Sequence, residues 1–169
     1  TVGRTKTFPC SYLDEQQEQL LVLQEEIIDA GLFEQLLALG FRRSSSMIYK
    51  PQCPHCTACL PIRLEIDEFK LSKRQKRTLK NNQDLSWKIV DHKTDEQYAL
   101  YERYVNTRHA DGAMYPATPE QYDSFATASW TQPLFIELSI DDKLIGVAVT
   151  DVLPNSLSAI YSYFDPDEH

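Results

Sequence analysis

The sequence predicts an α+β chain in two parts. The first is an N-terminal cysteine-containing subdomain over residues 1–84, and the second is a domain with an antiparallel sheet over residues 85–169. Three observations carry this reading. The C-terminal third holds three apolar runs, 134–140, 144–152 and 157–164, joined by the turn residues Asp141–Asp142 and Pro154–Asn155, which is the pattern of an antiparallel meander. Segments upstream of the runs repeat apolar residues at helical spacing behind good capping residues. Between the two, Tyr49 to Arg63 packs three prolines and three cysteines into a stretch unsuited to either helix or central strand.

At 169 residues and 42% hydrophobic, the chain can bury a core in one domain or two small ones. It has no run of 18 apolar residues, so no membrane span is expected. The N-terminus shows neither an initiator methionine nor a signal pattern, so Thr1 is expected to be a trimmed start. Four cysteines without a secretory signal point to the cytoplasm. The net charge of −8 hides an asymmetry, because residues 41–80 hold ten of the 17 basic side chains against three acidic ones. One positive block in an acidic chain suits local engagement of a polyanion.

In chain order, Phe8 to Tyr12 reads as an irregular lead-in carrying Cys10. Leu20, Leu23, Ile27 and Ile28 recur at helical spacing and predict a helix from about Asp14 to Asp29. Gly31 is expected to interrupt, a second helix to cover Leu32 to Leu39, and Gly40 to cap it. Phe41 to Lys50 reads as extended and delivers Arg42 and Arg43 beside the cysteines. Ile62, Leu64 and Ile66 alternate with charged residues, which is strand periodicity. Ser72 and Gln75 form a capping box for a helix to about Asn82. A strand follows over Leu85–Val90, then a helix from Thr94 to Arg108, a glycine-broken loop, and a helix from Thr118–Pro119 to about Ala128.

Cys53, Cys56 and Cys59 are spaced by two residues, and Cys10 lies 43 residues before the first. The four thiols could converge on zinc or an iron–sulfur cluster. Spacing and count favour that reading over structural or free thiols, which pack as small hydrophobes, and over a disulfide framework, for which nothing in the chain looks secretory. Lys70, Lys73, Arg74, Lys76, Arg77 and Lys80 place six cations in eleven residues with no interleaved acid. That is either a solvated helix face or an element that contacts nucleic-acid phosphates without reading bases.

The order helix, helix, three-stranded meander fits the front part of an acetyltransferase-like (GNAT-like) α+β domain. In that fold a helix should begin near Phe164–Asp165–Pro166, so the second domain is expected to be truncated at its C-terminus. The chain also resembles the aminoacyl-tRNA–protein transferases nearly end to end. The residues that carry the resemblance are Cys10, Gly40–Phe41–Arg42–Arg43–Ser44, Tyr49–Lys50–Pro51, Arg63, the basic segment Phe69–Lys80, Arg108–His109 with Gly112 and Met114, Asp151–Val152–Leu153, Ser158–Ala159–Ile160–Tyr161 and Phe164–Asp165–Pro166. The short N-terminal region and the C-x2-C-x2-C form resemble the bacterial aspartate/glutamate leucyltransferase branch.

The resemblance implies transfer of an amino acid, leucine above all, from charged tRNA to the N-terminal Asp or Glu of a protein, which marks it for degradation. Arginyl transfer is the nearest alternative. A small-molecule N-acetyltransferase and a non-catalytic, metal-binding RNA module are the others. The co-substrate is aminoacyl-tRNA, no acetyl-CoA is expected, and the cysteines are candidates for an iron–sulfur cluster or zinc. An aminoacyl ester is already activated, so the enzyme need only align an amine with it, accept a proton and stabilise an oxyanion. An acidic N-terminal residue calls for arginine, whose fork grips a carboxylate at two points. Arg42, Arg43, Arg63 and Arg108 are the candidates, each equally a surface ion-pair partner. His109 or Asp111 could move the proton, and Tyr161 is either catalytic or packing.

Overall fold

The computed structural model describes residues 1–24, 28–112 and 114–168. It is α+β, with antiparallel sheets and four helices.

The N-terminal sheet contains β1 (Val2–Arg4), β4 (Leu20–Leu23), β5 (Arg42–Ser44) and β6 (Met47–Pro51) in the order β1-β4-β6-β5. β2 (Phe8–Pro9) and β3 (Gln17–Glu18) pair separately. The helix expected over Asp14–Asp29 is therefore corrected: Asp14–Glu15 is a turn, Gln17–Glu18 and Leu20–Leu23 are strands, and residues 25–27 lie outside the described residues. Leu20-Leu21-Val22-Leu23 is a continuous apolar run, which spacing reads either way. Strand wins because β1 and β6 flank it on both sides and satisfy its backbone.

Helix α1 (Ala30–Ala38) starts at Asp29, whose carboxylate accepts from the Leu32 N–H, so Gly31 sits inside the first turn and does not interrupt. Gly40 follows the end of α1 with φ +87°, the left-handed geometry that glycine adopts at least cost. β5 and β6 form a hairpin, and Ser45 takes φ 55° at its turn. Residues 57–84 are exposed throughout. The strand expected over Ile62–Ile66 is absent there: no neighbouring strand is on hand to pair with it, and a short 3-10 turn follows at Ile66–Glu68. Helix α2 (Lys73–Asn81) opens with the Ser72–Gln75 capping box read from the sequence.

The second sheet runs β10-β9-β8-β7, from β7 (Ser86–Val90), β8 (Gln132–Ile140), β9 (Lys143–Val152) and β10 (Leu157–Phe164). Asp141 and Asp142, both at positive φ, close the β8–β9 hairpin. Helices α3 (Asp95–Arg108) and α4 (Pro119–Ala126) carry capping boxes at Thr94 and Thr118, and α4 ends two residues before the expected Ala128. They cover one face of the sheet and bury Tyr101, Val105, Tyr122, Phe135, Val149 and Tyr163. A polar chain crosses this core: the Tyr122 hydroxyl bonds Tyr163 and Gln97, and Gln97 donates to Glu137 at 2.8 Å. Burial pushes the Tyr122 phenol up to about 12 and Tyr163 further, so both hold their protons.

Contacts among the described residues join the two parts of the chain. Phe33, Ile48 and Leu153 form a second small core. Glu34 on α1 accepts from the Asn155 N–H and the Ser156 hydroxyl in the β9–β10 turn. Arg43 on β5 forms a wholly buried pair with Asp151 on β9.

Candidate active site

Neighbouring residues of a strand point to opposite faces, so β5 sends its two arginines to different places. Arg43 is committed inward. Its Nε and Nη2 donate to the two Asp151 carboxylate oxygens at 2.6 and 2.8 Å, and Nη1 donates to the Phe125 carbonyl at 2.9 Å. Arg42 lies over the ring of its cross-strand partner Tyr49, 5.2 Å from the centroid. The Arg42 Nε is buried and has no hydrogen-bond acceptor among the described residues. A buried donor without a partner is costly, and native structures keep few of them.

Both arginines line a recess of about 410 Å³ with Tyr12, Tyr49, Phe125, Ser158 and the Ala159–Tyr161 segment of β10. A second, more open recess of about 570 Å³ shares that segment and is lined by Tyr104, His109, Ala148, Val149 and Ser162 as well. Both volumes fall in the range of small-ligand sites, about 300–1,000 Å³. Ala159, Ile160 and Tyr161 line both. The ladder slips there: Ala159 faces Thr150 and Tyr161 faces Val149, which leaves Ile160 opposite no residue of β9. Such a bulge bends the strand and re-aims its side chains.

The other expected site residues fall as follows. His109 ends α3 and its Nε2 lies 3.1 Å from the Tyr104 hydroxyl, in the wall of the second recess. Tyr161 packs on Tyr101 and Phe125, and burial raises its phenol above the ordinary value, so it is a donor and not a base near neutral pH. Asp111 is exposed in the turn after α3. Arg108 donates to the Pro166 carbonyl at 3.2 Å and lies over Phe164, and Arg63 sits in the exposed 57–84 stretch; neither lines a recess. Lys70, Lys73, Arg74, Lys76, Arg77 and Lys80 are all exposed on and before α2. Tyr12, Tyr104, Phe125 and Ala148 also shape the recesses, and nothing in their local sequence marks them.

The four cysteines are free thiols, and Cys10 accepts from the Tyr12 N–H at 3.5 Å. Among the described residues, no three His, Cys, Asp or Glu side chains come together as metal ligands. Among the described residues, no helix is long and apolar enough to cross a membrane.

Residues 8–77 match the family model described as arginine-tRNA-protein transferase, N terminus, and residues 96–169 match the model for its C terminus. The chain belongs to the arginine-tRNA-protein transferase family. It is accordingly an aminoacyltransferase. The chain is 65% identical over 167 residues to the aspartate/glutamate leucyltransferase of Shewanella putrefaciens, covering 99% of this chain and 71% of the relative. Identity is 62% to the protein of that name from Shewanella oneidensis, over 99% of this chain and 70% of the relative. It is 48% to the one from Aeromonas salmonicida, over 98% and 70%.

Proposed function

We propose that this transferase moves leucine from Leu-tRNA to the N-terminal Asp or Glu of a protein, with Arg42 receiving the acidic side chain. The relatives' shared name supports the donor and acceptor. The observation that carries the site is the buried, unpartnered Arg42 Nε in the wall of a recess without acidic lining. A carboxylate in that recess meets the half-buried Arg42 guanidinium and gains a charge-assisted hydrogen bond. Arg43, held by Asp151, is a positioning residue that fixes the wall on which Arg42 stands.

In the reaction the free α-amine attacks the ester carbonyl, a C–N bond forms, and the C–O bond to the tRNA ribose breaks. The amine gives up a proton and the ribose hydroxyl takes one, so no external reductant or oxidant enters. His109 and Tyr161 both line the second recess, and Tyr161 offers a proton-bearing hydroxyl at the bulge. Asp111 faces solvent and takes no part in this scheme. Lys70 and the cations of α2 meet the tRNA backbone. Residues 1–84 thus supply the acceptor and tRNA contacts, and residues 85–169 supply an acetyltransferase-like (GNAT-like) platform. Consumption of charged tRNA puts the protein in the cytoplasm.

The test uses radiolabelled Leu-tRNA and a peptide beginning with Asp. Arg42→Ala is expected to raise the peptide KM about 10- to 100-fold, the equivalent of a lost charged hydrogen bond, with tRNA affinity unchanged. Equal loss of peptide use and tRNA binding would remove Arg42 from the acceptor site. Absence of transfer from Leu-tRNA by the unaltered protein would sink the reading as a whole.

A further inference from the structure

We propose that the open recess beside Tyr104, His109, Ala148, Ile160 and Ser162 is the pocket that selects the donor's leucyl side chain. The inference rests on the leucyl-transfer reading above and adds the place where the donor is chosen.

Three observations lead there. The first is continuity. The recess and the Arg42 recess share Ala159, Ile160 and Tyr161, so a donor in one and an acceptor in the other meet across the β10 bulge. A C–N bond needs its reacting atoms within about 3.5 Å, and a shared wall is the simplest way to bring them there. The second is chemistry. Ala148, Val149, Ala159 and Ile160 offer aliphatic surface, while Tyr104, His109 and Ser162 offer polar atoms for an ester or ribose. No Asp or Glu lines either recess. An arginyl guanidinium seated there would lose water without gaining a counter-charge, which is costly, whereas a leucyl side chain pays nothing of that kind. The third is space. Ala148 and Ser162 oppose each other across the β9–β10 ladder, and both line the recess from that rung. Neither lines the Arg42 recess, so both can be altered without touching the acceptor site.

Ser162 lines the recess from β10, so Ser162→Phe adds bulk there. Ala148→Leu fills it from the other strand. With the full-length protein, each variant is expected to cut kcat/KM for Leu-tRNA about tenfold or more, the scale on which apolar pockets discriminate shape. The KM for the Asp peptide and the affinity for uncharged tRNA are expected to stay within about twofold on the same reasoning. Both variants are first checked for an unchanged thermal transition. If folded Ser162→Phe transfers leucine with unaltered kcat/KM, the assignment is overturned. It is also overturned if the peptide KM rises with the donor KM, since the recess then serves the acceptor. If the unaltered protein does not use Leu-tRNA, or uses only Arg-tRNA, the leucyl reading itself has failed. That outcome is visible before any variant is made.

Discussion

Asp151→Ala isolates a buried charge pair that joins the two sheets. Arg43 and Asp151 are fully buried as side chains, and two hydrogen bonds of 2.6 and 2.8 Å lock them together. Removing Asp151 strands a guanidinium with only the Phe125 and Ser45 carbonyls as acceptors. Breaking a buried pair from one side costs about 3–5 kcal/mol, chiefly from the uncompensated charge. Against a domain stability of about 5–15 kcal/mol this is a large share. At about 2–4 °C per kcal/mol it lowers Tm by roughly 6–20 °C. Urea unfolding of Asp151→Ala, Arg43→Met and the double variant Arg43→Met/Asp151→Leu reads the effect. The double variant is expected to recover most of the stability, because a dry apolar pair carries no desolvation cost. It is expected to lose acceptor use, because the wall bearing Arg42 is no longer fixed. A loss below about 1 kcal/mol for Asp151→Ala, the size of an exposed ion pair, would refute the reasoning.

Replacing Lys73, Arg74, Lys76 and Arg77 with Gln on the exposed α2 removes up to four phosphate contacts. The slope of log affinity for tRNA against log salt is expected to shrink by roughly 3; a filter-binding salt series measures it, and an unchanged slope would take α2 off the tRNA path. Gly40→Ala is expected to cost about 1 kcal/mol or more, since φ is +87° and the added Cβ meets only ordinary contacts with Pro61 and Lys50; chemical denaturation decides it. The Lys143 hydrogen bond holds the Asp165 carboxyl below its ordinary value, although burial opposes this. A depressed folded value contributes stability above the unfolded value of about 3.9 and loses it as pH falls through the folded value. Asp165→Asn is therefore expected to flatten the acid limb of the stability profile and to leave its shape near neutral pH unchanged.

Local chemistry was enough for the elements that close on themselves. Ser72–Gln75, Thr94–Gln97 and Thr118–Gln121 set three helix starts, because a capping box needs only residues three apart. Asp141–Asp142 set the hairpin, and the cationic face of α2 was plain from its spacing. What depended on distant partners was not legible. Leu20–Leu23 fits a helix or a strand until β1 and β6 lie on either side, and Ile62–Ile66 alternates like a strand yet has no edge to join. The same limit held at the site. Arg42 and Arg43 stood out together in the sequence as arginines suited to a carboxylate. Only Asp151, 108 residues away from Arg43, decides that Arg43 is spoken for while Arg42 Nε is left without a partner. Spacing brought three cysteines near one another along the chain, but converging thiolates need the fold to turn them inward, and among the described residues no three such ligands come together. The sequence by itself determined helix starts, tight turns, the charge map and the family, all written in neighbouring residues or in ordered motifs. The tertiary structure alone decided which charges are neutralised and where two recesses share a wall, because burial and electrostatics are set by residues that meet only once the chain has folded.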